Sequence, residues 1–137
     1  MTFGLRVLAF LVMLWLVSTP LSQADQPVSI RTLLNSASSF QAHAVTVVGI
    51  AKDRQDIPPF SGGKCGIVYD SYMFTLEDES GSIRIEVFGV CRMSGVRAPV
   101  SDGQKALVQG FFIVHSSDGI DASLIYTNTF AVKQIPN

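Results

Sequence analysis

Charge is scarce in this 137-residue chain: Asp, Glu, Lys and Arg together make up 15%, where a soluble domain usually carries about a quarter. No long acidic or basic run occurs and the formal net charge is −1. A polybasic nucleic-acid arm and extended disorder are therefore excluded. Cysteine and histidine are equally sparse, two of each, with no C-x-x-C pair and no paired metal-ligand spacing, which argues against a thioredoxin-like redox pair or a zinc ribbon. Gly62-Gly63-Lys64-Cys65 shares only composition with a phosphate loop; it lacks the G-x-x-x-x-G-K-[ST] spacing and leads into a strand. There is no internal repeat, and the length allows one domain.

What is abundant is apolar character, 47% of the residues, and the excess collects at the N-terminus. Arg6 is the only charge among residues 1–24, and an unbroken apolar run of eleven follows from Val7 to Val17. Pro20 and the small-residue pattern Ser22-Gln23-Ala24 come next. A positive start, a short apolar stretch and an A-x-A-like site predict a secretory signal peptide cut after Ala24, with Pro20 ending any helix before that site. An uncleaved anchor and a buried helix are the other readings. Spanning a bilayer takes about 20 apolar residues, so the run is short for an anchor. Neither a lipoprotein nor a twin-arginine signal is supported, for want of a nearby Cys or an Arg-Arg pair. The expectation is an exported protein, periplasmic or secreted, with no stable membrane span after cleavage. Removing 24 of 137 residues leaves 113, with nine basic and eleven acidic side chains and a net charge of −2. Such a length buries about two-thirds of its unfolded surface, enough for a core.

Residues 25–42 read as an N-terminal extension. Within it, 29–40 suits a short helix: Ser29 caps, and Ile30, Leu33, Leu34 and Ala37 share a face. The period then becomes strand-like. Strands are expected at Val45–Ala51, Ile67–Glu77, Ile83–Phe88, Lys105–His115 and Ala122–Ile135. Residues 53–66 and 89–103, rich in Gly and Pro, read as loops, and 79–82 and 116–119 as turns. In the third strand Ile83, Ile85 and Val87 point inward and Arg84, Glu86 and Phe88 outward. Five strands after one helix, without βαβ alternation, predict an all-β fold, a small antiparallel barrel or an open sandwich. Gly49 and Gly110, mid-strand, mark bends where one strand serves two sides of a barrel, or else edge bulges.

Three features coincide: the V-x-V-x-G pattern at Val45, Val47 and Gly49; the hairpin YMFTLEDESGSIRIEVFG with Asp78, Gly81, Ile83 and Val87; and Val108 with Gly110 repeating the first pattern. Over about residues 43–135 they resemble an OB-fold of the anticodon-binding and helicase-associated type. The resemblance implies a five-stranded antiparallel Greek-key barrel over 43–137 and single-stranded nucleic acid as ligand. The helix that many OB-folds place between strands three and four has no counterpart in the Gly- and Pro-containing 89–103, and the N-terminal helix is the alternative plug for the barrel bottom.

Export favours a disulfide between Cys65 and Cys91. With the turn centred on Ser80-Gly81, the two fall about five positions short of direct opposition, at the open end of one hairpin. Free thiols, a redox pair, or a metal site with His43 and His115 are the alternatives. Glu77, Asp78 and Glu79 read as a solvated turn before a divalent-cation site. His115-Ser116-Ser117-Asp118 contains triad residue types, but neighbours in one turn cannot form a relay. No catalytic residue, cofactor or metal is expected.

Nucleic-acid binding requires a positive groove with aromatic platforms. The outward set Met73, Thr75, Glu77, Arg84, Glu86 and Phe88 offers one aromatic and one base against two acids. Lys52, Arg54, Lys64, Arg92 and Arg97 sit in flanking loops, diluted by Asp53, Asp56 and Asp102. Charge and export thus disfavour nucleic acid. The expectation is a non-enzymatic module binding a protein or an oligosaccharide. Its weak candidate set is Lys52, Arg54, Phe60, Lys64, Met73, Arg84, Phe88, Arg92 and Arg97, with Ile57-Pro58-Pro59-Phe60 as a stiff apolar anchor.

Overall fold

The computed structural model describes residues 26–95 and 100–137, so the signal-peptide expectation and Arg97 lie outside the described residues. Two short helices come first, α1 (Ile30–Asn35) and α2 (Ala37–Phe40). Nine strands follow: β1 (Ala44–Ile57), β2 (Phe60–Ser61), β3 (Ile67–Tyr69), β4 (Ser71–Asp78), β5 (Gly81–Phe88), β6 (Val90–Cys91), β7 (Lys105–Ser117), β8 (Ile120–Asn128) and β9 (Val132–Gln134). Single 3₁₀ turns occupy Gly63–Cys65 and Thr129–Ala131. The fold is thus mostly β, with helix before sheet. No helix among the described residues is long and apolar enough to cross a membrane.

The main sheet has six strands in the order β1-β4-β5-β8-β7-β9, and β1 also pairs with β7, so the ladders run in a circuit back to β1. The expectation of five wholly antiparallel strands is corrected here. A circuit of five strands cannot reverse direction at every step, because five is odd. One neighbouring pair must run parallel, and it is β5 with β8. The last expected strand is in fact two, because the 3₁₀ turn at Thr129–Ala131 swings β9 off β8 and onto β7. A second sheet, β2-β3-β6, takes two residues from each expected loop and the start of the second expected strand, and β1 itself runs on into the first loop as far as Ile57.

Gly49 and Gly110 sit where strands change partners. β1 pairs with β7 through Ile50 and with β4 from Ile50 onward. β7 pairs with β1 through Phe111 and with β8 from Phe111 onward. Each glycine therefore lies one residue before its handover, where backbones crowd. A Cβ on Gly49 would stand 2.5 Å from the carbonyl oxygen of Glu77, and one on Gly110 would stand 2.6 Å from that of Tyr126. Gly81 follows the turn without a positive φ. The Glu79-Ser80 turn is held by Asp78, whose Oδ1 accepts from the Ser80 and Gly81 amides and the Ser80 hydroxyl.

Alternation sorts the core. Tyr72, Phe74 and Leu76 of β4 and Ile83, Ile85 and Val87 of β5 face inward, with Val45 and Val47 of β1, Val108 and Phe112 of β7 and Ile125 of β8. Burying each such side chain contributes about 1.5–3 kcal/mol. One end of this core is covered by α1, whose Ile30 and Leu33 are fully buried while Leu34 is exposed. Ser29 caps α1 by accepting the Thr32 amide, as its position suggested. The helix is shorter than expected, broken at Ser36 in a stretch of low-propensity Ser and Asn.

Candidate binding face

Strand register assembles the outer face of the main sheet. Met73 of β4 opposes Glu86 of β5, Glu86 lies beside Tyr126 of β8, and Tyr126 opposes Phe111 of β7. Partners across a ladder share a face, so these four form one outward row. Phe88, next outward on β5 after Glu86, packs its ring 6.4 Å from that of Tyr126. Phe60 of β2 meets Phe88 edge-on at 5.8 Å, with an interplanar angle of 78°. Phe60, Tyr126 and Phe111 remain 37%, 43% and 55% exposed. The face is therefore aromatic, where the sequence offered Phe88 alone among outward residues.

Phe60 is placed there by the small sheet. β2 pairs with β3, and β3 with β6, the direct continuation of β5. A disulfide joins Cys65 to Cys91, with Cα atoms 5.5 Å apart. The hairpin turn proves to be Glu79-Ser80, so Asp78 opposes Gly81 and, further along, Val68 opposes Cys91. The 3₁₀ turn at Gly63–Cys65 supplies the slack, with the Gly62 amide donating to the Gly66 carbonyl. Its Arg92 guanidinium neighbour donates Nε–H to the Cys65 carbonyl. With the thiols joined, the metal alternative with His43 and His115 is gone, and no cluster of three His, Cys, Asp or Glu forms among the described residues.

The candidate bases do not converge. Lys52 bonds Glu77 at 2.8 Å, and Arg84 pairs with Glu86 at 3.5 Å and touches the Met73 sulfur. Lys64 is exposed on the 3₁₀ turn, and Arg92 is engaged with the Cys65 carbonyl. Arg54 leaves the outer row altogether. A bulge between Lys52 and Gln55, with Asp53 at φ 53°, turns it over the buried Tyr72 ring, 5.2 Å from the centroid. There it pairs with Asp56, while its Nε is buried without a partner among the described residues. Arg54, Asp56, Pro58, Pro59 and Tyr69 help line a cleft of about 430 Å³. The proline pair therefore borders this cleft, and Phe60 alone of that segment reaches the aromatic cluster.

Two titrating groups report on these surroundings. Burial and the nearby Glu86 carboxylate push the Tyr126 hydroxyl above its ordinary value. Partial burial works to raise the Asp78 carboxyl, but hydrogen bonds from the Ser80 hydroxyl and from the Ile30, Ser80 and Gly81 amides outweigh it and hold the group below its ordinary value. Asp78 is thus no solvated turn residue. Its Oδ2 accepts the Ile30 amide at 2.9 Å and ties the hairpin to the first turn of α1.

Tyr126 was not legible as a surface residue because Leu124 and Ile125, adjacent in sequence, are both buried and spoil the alternation of β8. Phe111-Phe112 carried a usable signal: of two neighbouring residues in a strand, one must face out. In the apparent triad sequence Ser116 donates to Asp121 and Ser117 to Asp118, and His115 takes part in neither bond. No protein-family model matches the chain, and no curated protein matches it.

Proposed function

We propose that the protein is an exported, non-enzymatic OB-fold module. It binds a protein or oligosaccharide partner through the outer face of β4 and β5, extended over β8 and β7, and through the flanking small sheet. The carrying observation is the ring cluster of Phe60, Phe88 and Tyr126 with Phe111 opposite Tyr126, of which Phe60, Tyr126 and Phe111 are exposed. A contiguous exposed apolar patch on a small domain marks an interaction site. The five-strand circuit with α1 over one end supports the barrel reading. The disulfide and the N-terminal apolar run support export.

Single-stranded nucleic acid is the second reading, favoured by the aromatic rings, on which bases stack. Against it, Lys52, Arg54 and Arg84 are each held by a carboxylate. Fluorescence anisotropy with labelled single strands at low and moderate salt separates the two. The expected outcome is no binding at low salt. Micromolar binding that weakens steeply with salt would replace the first reading with the second.

A further inference from the structure

Among the candidate bases, Lys52, Arg54 and Arg84 each hold a carboxylate, whereas Lys64 and Arg92 hold none among the described residues. These two cations are the chain neighbours of the disulfide, Lys64 before Cys65 and Arg92 after Cys91. Arg92 also reaches back across the other half of the bond. Its Nε–H donates to the Cys65 carbonyl at 3.2 Å, and a Cβ on Gly66 would stand 3.3 Å from the same nitrogen. The nearest acids along the chain, Asp70 and Glu86, are engaged by the Gly95 amide and by Arg84. Cys91 is exposed and Cys65 half-buried. An accessible sulfur in electropositive surroundings is the setting in which thiolates are stabilised and disulfides exchange.

We propose that Cys65–Cys91 is an exchange site for an anionic thiol, and that opening it frees Phe60 from Phe88. The exchange does not depend on what the aromatic face binds. The incoming thiolate, its proton given to solvent, attacks the exposed Cys91 sulfur. A bond forms between these two sulfurs as the Cys65–Cys91 bond breaks, and the electron pair of the broken bond leaves on Cys65. Lys64 and Arg92 stabilise that departing thiolate, which makes Cys65 the better leaving group. They also attract a negatively charged thiol. A second external thiolate then attacks the incoming sulfur of the mixed disulfide and releases Cys91. Two external thiols end as one disulfide, and the two cysteines take up two electrons and two protons. Phe60 responds because of where the bond sits. The disulfide ties the connection between β2 and β3, which carries Cys65, to β6, which carries Cys91. Phe60 opposes Val68 and Val68 opposes Cys91, so Phe60 and Cys91 share a face of the small sheet, two strands and roughly 10 Å apart.

The test exposes the oxidised protein to glutathione, which is anionic, and to cysteamine, which is cationic. Acid quenching, alkylation and peptide mass mapping then follow the adducts. In buffer without denaturant the glutathione adduct should form, and on Cys91. A bond reached only by unfolding would exchange in proportion to the unfolded population, whereas here urea below the transition should change the rate by less than about twofold. Lys64→Ala combined with Arg92→Ala should lower the glutathione-to-cysteamine rate ratio roughly tenfold. Added salt should lower the same ratio in the wild type. In the Cys91 adduct the ring resonances of Phe60 and Phe88 should move, while those of the buried Phe74 stay in place. No adduct without denaturant, a rate that climbs with the unfolded population, an adduct on Cys65, or a ratio indifferent to the two cations and to salt overturns the exchange site. A Cys91 adduct with the Phe60 ring unmoved overturns its coupling to the cluster. Each of these outcomes leaves the binding-face reading to its own titration.

Discussion

Asp78 makes more connections than its place between two glutamates suggests. One carboxyl oxygen accepts from the Ser80 and Gly81 amides and the Ser80 hydroxyl; the other accepts the Ile30 amide from a segment 48 residues earlier. Asp78→Ala should cost about 1–2 kcal/mol, the range for a lost cap or a charge-assisted hydrogen bond, measured as a shift in the urea midpoint. The pH dependence follows from the sign of the shift. The folded carboxyl titrates below its ordinary value of 3.8, so its contribution is complete above that value. It is lost as pH falls through the lower, folded pKa. Acid unfolding of the wild type should therefore carry a component in this range that Asp78→Ala and Asp78→Asn lack. Equal acid midpoints for wild type and variants would remove Asp78 from this role.

At the scale of elements, two expectations concern packing. Leu33 of α1 is fully buried, and Leu33→Ala should destabilise by about 2–5 kcal/mol. A cost below that range would mean that α1 lies on the sheet without closing the core. Gly110→Ala forces a Cβ toward the Tyr126 carbonyl and should cost about 1–3 kcal/mol, whereas a substitution at the open Gly63 has space, although its positive φ strains any side chain. The strands themselves were legible in the sequence. Arg84 and Glu86 alternating with Ile83, Ile85 and Val87 fixed both the existence and the facing of β5. Less legible were the interruptions. Asp53 and Asp70 carry φ values of 53° and 60° without being glycine. Nothing in local composition separates an aspartate that bends a strand from one that merely borders a loop. The bulge at Asp53–Arg54 consequently hid the turning of Arg54 away from the outer face, and the long-range pairing of β8 hid Tyr126 and Phe111.

For the molecule as a whole, the disulfide is the fastener of its smaller part. β2, β3 and β6 have two or three residues each, too few for independent stability, and they carry Phe60 to the aromatic cluster. Reduction should cost about 3–4 kcal/mol in the loop-closure account. Hydrogen exchange should speed up first over residues 60–69 and 90–91, while β4 and β5 stay protected. Uniform loss of protection would show instead that the two sheets form one cooperative unit. The cysteine pairing was foreseeable from hairpin geometry and compartment together. The mixed character of the main sheet was not, because it comes from the route of the final strands and no local pattern records that route.

The circuit of ladders also sets a timetable. The first half of β1 pairs with β7, which begins at Lys105, and β5 has its parallel neighbour in β8, which begins at Ile120. A chain emerging N-terminus first, from a ribosome or through a membrane pore, can form the β4–β5 hairpin early. It must then hold half of β1 unpaired until Phe111 is free and one side of β5 unpaired until Asn128 is free. Loop closure over such separations makes folding slow, in the millisecond-to-second range. A chain ending at residue 104 should be digested by protease under conditions in which the complete protein resists. In an exported chain the same delay would keep the polypeptide threadable until the last of it had passed through the pore.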